Sequence, residues 1–175
     1  MLCLLLSIGG AYGRAAGVRE EVVRLHILAN SDSTADQTLK LQVRDAVTAA
    51  AAQWQVTDPA AARYLAQTEL PRLQAAAQQA VQEAGHTDTV AVEYTRMYFT
   101  TRQYGGITLP AGMYDAVRVT IGAGKGQNWW CVVYPPMCVG GAAAQDTLTP
   151  FTKGEPYILR FKVVEWIESF LQLFR

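Results

Sequence analysis

A chain of 175 residues, half of them hydrophobic, has the length of one domain of roughly 100–200 residues and ample material for a core. Its 15 basic and 15 acidic side chains cancel. No charge excess steers it toward nucleic acid, an anionic membrane or a basic partner.

Met1 to Ile8 is apolar apart from Cys3 and Ser7, and Gly9, Gly10, Ala11 and Gly13 follow. That order matches the hydrophobic and cleavage regions of a secretory signal, with Ala11-Tyr12-Gly13 as a small-x-small site. The run is shorter than the ~20 apolar residues that cross a bilayer. It also lacks the basic residues that precede such a core, so residues 1–13 read as a partial leader, with a buried N-terminal strand as the alternative. Export is the expected fate. Residues 14–21 form a charged linker, and residues 22–175 form a single domain.

Val22 to Ala29 sets Val23, Leu25 and Ile27 against Arg24, His26 and Leu28, the alternation of a half-buried strand. Asn30-Ser31-Asp32-Ser33 ends it. Ser33 and Asp36 then make a capping box with Asp in place of Glu, opening a helix that runs to about Gln53. Leu39, Val43, Ala46, Val47, Ala50 and Trp54 share one face of it. Asp58-Pro59 caps and starts a second helix, which reaches a stop at Gly85 and is kinked or split by Pro71.

Val90 to Thr100 is strand-like, with a phase slip toward Met97 and Phe99 that suggests a bulge. Tyr104-Gly105-Gly106 and Leu109-Pro110-Ala111-Gly112 read as turns. Tyr114 to Ile121 alternates cleanly. Gly122 to Asn128 is a glycine-rich loop, and Trp129 to Tyr134 is its expected hairpin partner. Gly140 to Gln145 is built of small residues. Ile158 to Phe174 carries Val163, Ile167, Phe170 and Phe174 on one face, a C-terminal helix that packs on the core or touches membrane or a partner. The fold class is therefore α+β: one mixed or antiparallel sheet of about four strands, two helices from the N-terminal half, and the C-terminal amphipathic helix packed on it.

Cys3 falls in the leader. Cys131 and Cys138 flank Pro135-Pro136, a turn able to bring both Cβ atoms to disulfide distance. Such a bridge contributes about 2–3 kcal/mol in the chain-entropy model. Two buried free thiols are the alternative.

The loop Gly122-Ala123-Gly124-Lys125-Gly126-Gln127-Asn128 invites a phosphate-binding reading and fails its test. A P-loop has glycine five positions before the Gly-Lys pair and Ser or Thr after the lysine; here Val119 and Gly126 stand in those places. The loop also leads into a strand pattern, not a helix. No nucleophile–base pair has a local signature, since the histidines are His26 and His86 and the cysteines look paired. No zinc-like spacing of four ligands occurs, and no metal or cofactor is expected. Adjacent Trp129 and Trp130 face opposite sides of their strand, so one fills the core and the other is available for recognition.

Two groups of residues carry a family resemblance. The first is Arg24-Leu25-His26, Ala29-Asn30-Ser31-Asp32-Ser33, Asp36-Gln37, Leu39-Lys40-Leu41 and Val43-Arg44-Asp45-Ala46-Val47. The second is Tyr104-Gly105-Gly106, Leu109-Pro110-Ala111-Gly112, Tyr114, Arg118-Val119, Gly122, Gly124-Lys125-Gly126-Gln127-Asn128-Trp129-Trp130-Cys131-Val132, Pro135-Pro136 and Cys138. This pattern resembles stage II sporulation protein R. The resemblance implies a non-enzymatic signal, made in the forespore of endospore-forming bacteria. It is exported into the space between forespore and mother-cell membranes, where it activates a membrane-bound aspartic-type protease. That protease processes the precursor of the early mother-cell sigma factor. The resemblance transfers no catalytic residues. Lys125, Gln127, Asn128, Trp129 and Trp130 are the expected partner contacts, with Arg24, His26 and Asp32 as a second group. The rival reading is a small exported cell-wall hydrolase using carboxylates.

Overall fold

The apolar alternation of Val23, Leu25 and Ile27 forms strand β1 (Val23–Leu28), which takes an inner position in a four-stranded sheet. The computed structural model describes residues 16–104 and 107–137. The sheet order is β2-β5-β1-β6, with β2 Val90–Phe99, β5 Gly112–Ile121 and β6 Asn128–Tyr134. Strand β1 runs parallel to β5, with Leu25 opposite Val117, and antiparallel to β6, with Leu25 opposite Cys131. The sheet is thus mixed, and the expected α+β class with about four strands is what the chain adopts. The leader, the 140–145 segment and the C-terminal helix lie outside the described residues.

Three local expectations change. Strands β5 and β6 are not a hairpin, because β1 lies between them. A pair of strands flanking a third cannot be joined by a tight turn, so residues 122–127 cross over the C-terminal end of β1. Strand β1 is buried on both faces, Arg24 and His26 included, as an inner strand covered on both sides must be. The turns around residues 104–112 are flanked by two short strands, β3 (Arg102–Tyr104) and β4 (Ile107–Leu109), paired as an antiparallel ribbon.

Helix α1 covers residues 16–20, within the stretch expected to be a linker. Helix α2 (Thr34–Ala51) starts at Ser33, whose hydroxyl accepts the Asp36 N–H at 3.1 Å. Helix α3 (Pro59–Thr68) is capped by Asp58, and α4 (Leu70–Glu83) follows after one residue, Glu69. Pro71 accounts for the break: it has no N–H to continue α3, and it sits comfortably in the first turn of α4. Helix α4 ends in a Schellman motif, with Gly85 N–H on Gln82 O and His86 N–H on Val81 O, both 3.0 Å.

Helices α2 and α4 pack against each other, and α2 and α3 touch β1. Leu39, Val43 and Val47 of α2 and Leu73, Ala77 and Val81 of α4 are buried, as are Leu25, Ile27, Val117 and Val119 of the sheet. Each larger side chain in that core contributes about 1.5–3 kcal/mol through burial. Helix α4 also covers the β2 edge. The Gln78 amide accepts from Val90 N–H and donates to Asp88 O, both at 2.9 Å, and so takes the place of a neighbouring strand.

The described residues group into two compact units: 23–95 with 115–137, and 16–22 with 96–104 and 107–114. The core above belongs to the first. In the described part of the second, Phe99 and Tyr114 meet edge to face at 5.7 Å, and the Tyr114 hydroxyl donates to Pro110 O at 2.5 Å. Arg19 donates to Ala111 O at 3.0 Å. A Cβ at Gly112 would collide with the Arg19 side chain, which is why the Pro110-Ala111-Gly112 corner ends in glycine.

Candidate functional site

Where β1 ends, the chain must turn into α2, and the β5–β6 crossover passes over the same place. The two segments are stitched together. Ala123 N–H donates to Asn30 Oδ1 (2.8 Å), Lys125 N–H to Asn30 O (3.1 Å), Gly126 N–H to Ala29 O (2.9 Å) and Gln127 N–H to Asp32 Oδ1 (2.7 Å). The Lys40 ammonium, buried on α2, reaches across to Gln127 O at 3.0 Å and to Gln37 Oε1 at 2.5 Å. Burial pulls the Lys40 pKa down, and the nearby Asp32 carboxylate pushes it back up. A Cβ at Gly126 would collide with the Ser31 carbonyl, so only glycine lets the two backbones approach this closely.

The remaining crossover amides are spent too: Gly122 N–H on Thr89 O at 2.8 Å and Gly124 N–H on Ile121 O at 3.1 Å. Every N–H from Gly122 to Gln127 donates within the protein. A phosphate-binding nest needs such amides free and convergent. This loop is a clasp, not an anion cradle.

Asp36 is the pivot of the first segment. Its Oδ2 accepts from Ser31 Oγ at 2.5 Å and Asn30 Nδ2 at 3.1 Å, and the Ser31 hydrogen bond leads the causes that hold its pKa below the usual carboxylate value. The reciprocal half of the expected capping box is therefore replaced: Ser33 N–H goes to Ser31 Oγ at 3.1 Å, leaving the Asp36 carboxylate to the 30–31 turn.

Trp129 and Trp130 diverge as the strand alternation requires. Trp129 is half-buried on the helix side, with the Arg44 guanidinium of α2 4.7 Å from its ring centroid. Trp130 stacks on its cross-strand neighbour His26, with ring centroids 4.1 Å apart and planes 9° apart. His26 Nε2 bonds Asn128 Oδ1 at 2.7 Å. Burial lowers the His26 pKa, the Asn128 hydrogen bond raises it, and the Arg118 cation opposite on β5 lowers it further. Arg118 itself pairs with Glu93 of β2. Arg24 is fully buried and donates from Nε to Cys131 O at 3.1 Å.

The clasp therefore gathers most of the residues expected at the site. Lys125, Gln127, Asn128 and Asp32 are exposed on it, and Trp129 and Trp130 flank it. Arg24 and His26 lie beneath, buried in β1. Cys131 is buried in β6, and Cys138 lies outside the described residues.

A family model described as stage II sporulation protein R matches residues 19–144. The chain belongs to that family. A curated relative named stage II sporulation protein R, from Bacillus subtilis (strain 168), is 39% identical over 123 residues, covering 69% of this chain and 55% of the relative. The chain spans about half the length of that relative. No solved structure matches it.

In this chain, residues from both groups that carry the resemblance meet in the clasp. Asn30, Gln37, Lys40 and Arg44 had no functional assignment, yet three of them tie the clasp and the fourth covers Trp129. Spacing alone does not say that segments so far apart in sequence will meet.

Proposed function

We propose that the chain is an exported sporulation signal that activates a membrane-bound aspartic-type protease from the space between forespore and mother cell. The activated protease then processes the precursor of the early mother-cell sigma factor. Membership of the sporulation protein R family carries this reading. Its support in the molecule is the clasp, which spends its backbone amides internally while leaving the Lys125, Gln127 and Asn128 side chains at the surface. Such an arrangement suits recognition rather than turnover of a small phosphorylated substrate. The contact set is Lys125, Gln127, Asn128 and Trp129, with Asp32 beside them and Trp130 next to it on β6. Arg24 and His26 support this set from below. Activation requires that the chain bind the active state of the protease more tightly than the inactive one. A Cys131–Cys138 bridge belongs to the same reading.

The test is reconstitution of the purified chain with the protease and its precursor substrate. Processing should depend on the wild-type chain and disappear when Lys125, Asn128 and Trp129 are all alanine. Full processing with that folded triple variant overturns the contact assignment, and processing without the chain overturns the function.

A further inference from the structure

At one corner of the first unit, beside the clasp, Asp36, His86 and Asp88 bring one ligand atom each to within 4.8 Å of one another. We propose that they form a binding site for a divalent transition-metal cation of the zinc or manganese class. Asp36 sits in the first turn of α2, while His86 and Asp88 lie in the connection that leaves α4. The Schellman stop at Gly85 aims that connection back toward α2, so separate segments supply the donors.

Three observations carry the site. The donor set mixes an imidazole nitrogen with two carboxylates, which suits zinc or manganese; calcium and magnesium favour all-oxygen shells. The two carboxylates also lack a permanent counter-charge: among the described residues neither is ion-paired with Lys or Arg, and Asp88 has only His86, whose Nδ1 lies 3.5 Å from Asp88 Oδ2. Two carboxylates thus flank one imidazole with no Lys or Arg between them, which leaves the corner open to a cation.

The third observation comes from a different segment. Gly122 has φ +54°, and a Cβ there would collide with Asn30 Oδ1 and stand 2.8 Å from Asp88 Oδ1. Oxygens of Asn30 and Asp88 thus lie against the space its missing side chain leaves, and the Asn30 oxygen there already accepts Ala123 N–H. Ser31 Oγ and Asn30 Nδ2 already fix Asp36 Oδ2, the kind of outer hydrogen bonding that orients a ligating carboxylate. A bound cation links the start of α2 to the entrance of β2, beside the Asn30 anchor of the clasp.

The experiment is thermal unfolding of the chelator-stripped chain with zinc, manganese, magnesium or calcium chloride alone, with calorimetry for stoichiometry. Zinc or manganese should bind one per chain and raise the midpoint by several degrees at concentrations about 100-fold above Kd, while magnesium and calcium at equal concentration should not. His86→Gln and Asp88→Asn should abolish the shift. Asp88→Asn keeps the side chain's size and removes only its charge, so its metal-free midpoint should lie close to that of the metal-free wild type, which separates lost binding from lost folding. His26→Phe, which removes the other histidine, should keep the shift. No stoichiometric zinc or manganese binding overturns the site, as does a shift that survives both ligand variants.

Discussion

Protonating His26 works against the fold through its burial and the Arg118 cation, and these outweigh the Asn128 hydrogen bond that favours the proton. The imidazole is buried, stacked on Trp130, and faces the Arg118 cation, with Arg24 two residues away on its own strand. Its folded pKa is therefore lowered, burial being the largest cause. In the unfolded chain it titrates near about 6.5. Below that value the unfolded state takes up a proton that the folded state does not yet accept, so stability is present above about 6.5 and is lost as pH falls toward the depressed folded value. Urea midpoints measured from pH 7.5 down to pH 5 should fall in the wild type and fall less in His26→Phe, which keeps a flat ring against Trp130 but carries no proton. Equal slopes in the two proteins would show that another group controls this window. Asn30 makes the complementary case for a neutral side chain: Asn30→Ala removes the acceptor of Ala123 N–H and a donor to Asp36 at once. It should cost about 1–3 kcal/mol in chemical denaturation, as lost hydrogen bonds at partly buried groups do.

At the scale of elements, the clasp explains why the crossover is rich in glycine. Gly126→Ala places a methyl against the Ser31 carbonyl, and backbone cannot move aside as the tip of a side chain can. Overpacking of this kind costs about 1–3 kcal/mol, a fall of roughly 2–12 °C in the thermal midpoint of a domain this size. Lys125→Ala, one residue away and exposed, should shift the midpoint by less than about 2 °C. The same elements show what could be read before folding. The Ser33 cap, the Asp58-Pro59 start, the Gly85 stop and the split near Pro71 all follow from local chemistry, and each stands where its residues place it. The β5–β6 hairpin was misread because two alternating runs joined by a glycine loop look the same whether they pair or flank a third strand. His26 looked solvent-facing for a related reason. An alternating polar residue marks the second face of a strand, but does not reveal that this face is covered. Lys40 and Asn30 escaped because their partners are about 90 residues away in sequence, a pairing that local periodicity does not encode.

For the whole molecule, the proposed function makes building the clasp and being recognised through it separable. Asn30, Lys40 and Gly126 hold the crossover to the end of β1 without offering a free polar group to a partner, whereas Lys125 and the Gln127 and Asn128 side chains are exposed on it. Anchoring residues should therefore affect signalling only through stability, and Lys125, whose side chain ties nothing in the clasp, should affect it at unchanged stability. Gly126→Ala and Asn30→Ala should lose protease activation in proportion to the fraction unfolded, and recover it at lower temperature where the fold is restored. Lys125→Glu should reduce activation at least tenfold, a loss of about 1.4 kcal/mol in binding the active protease, with an unchanged unfolding midpoint and no recovery on cooling. Activation assays run beside thermal melts over a common temperature series measure both quantities. Should Lys125→Glu signal as well as the wild type while the anchoring variants fail, the clasp is a purely structural device. The partner surface must then be sought elsewhere on the chain.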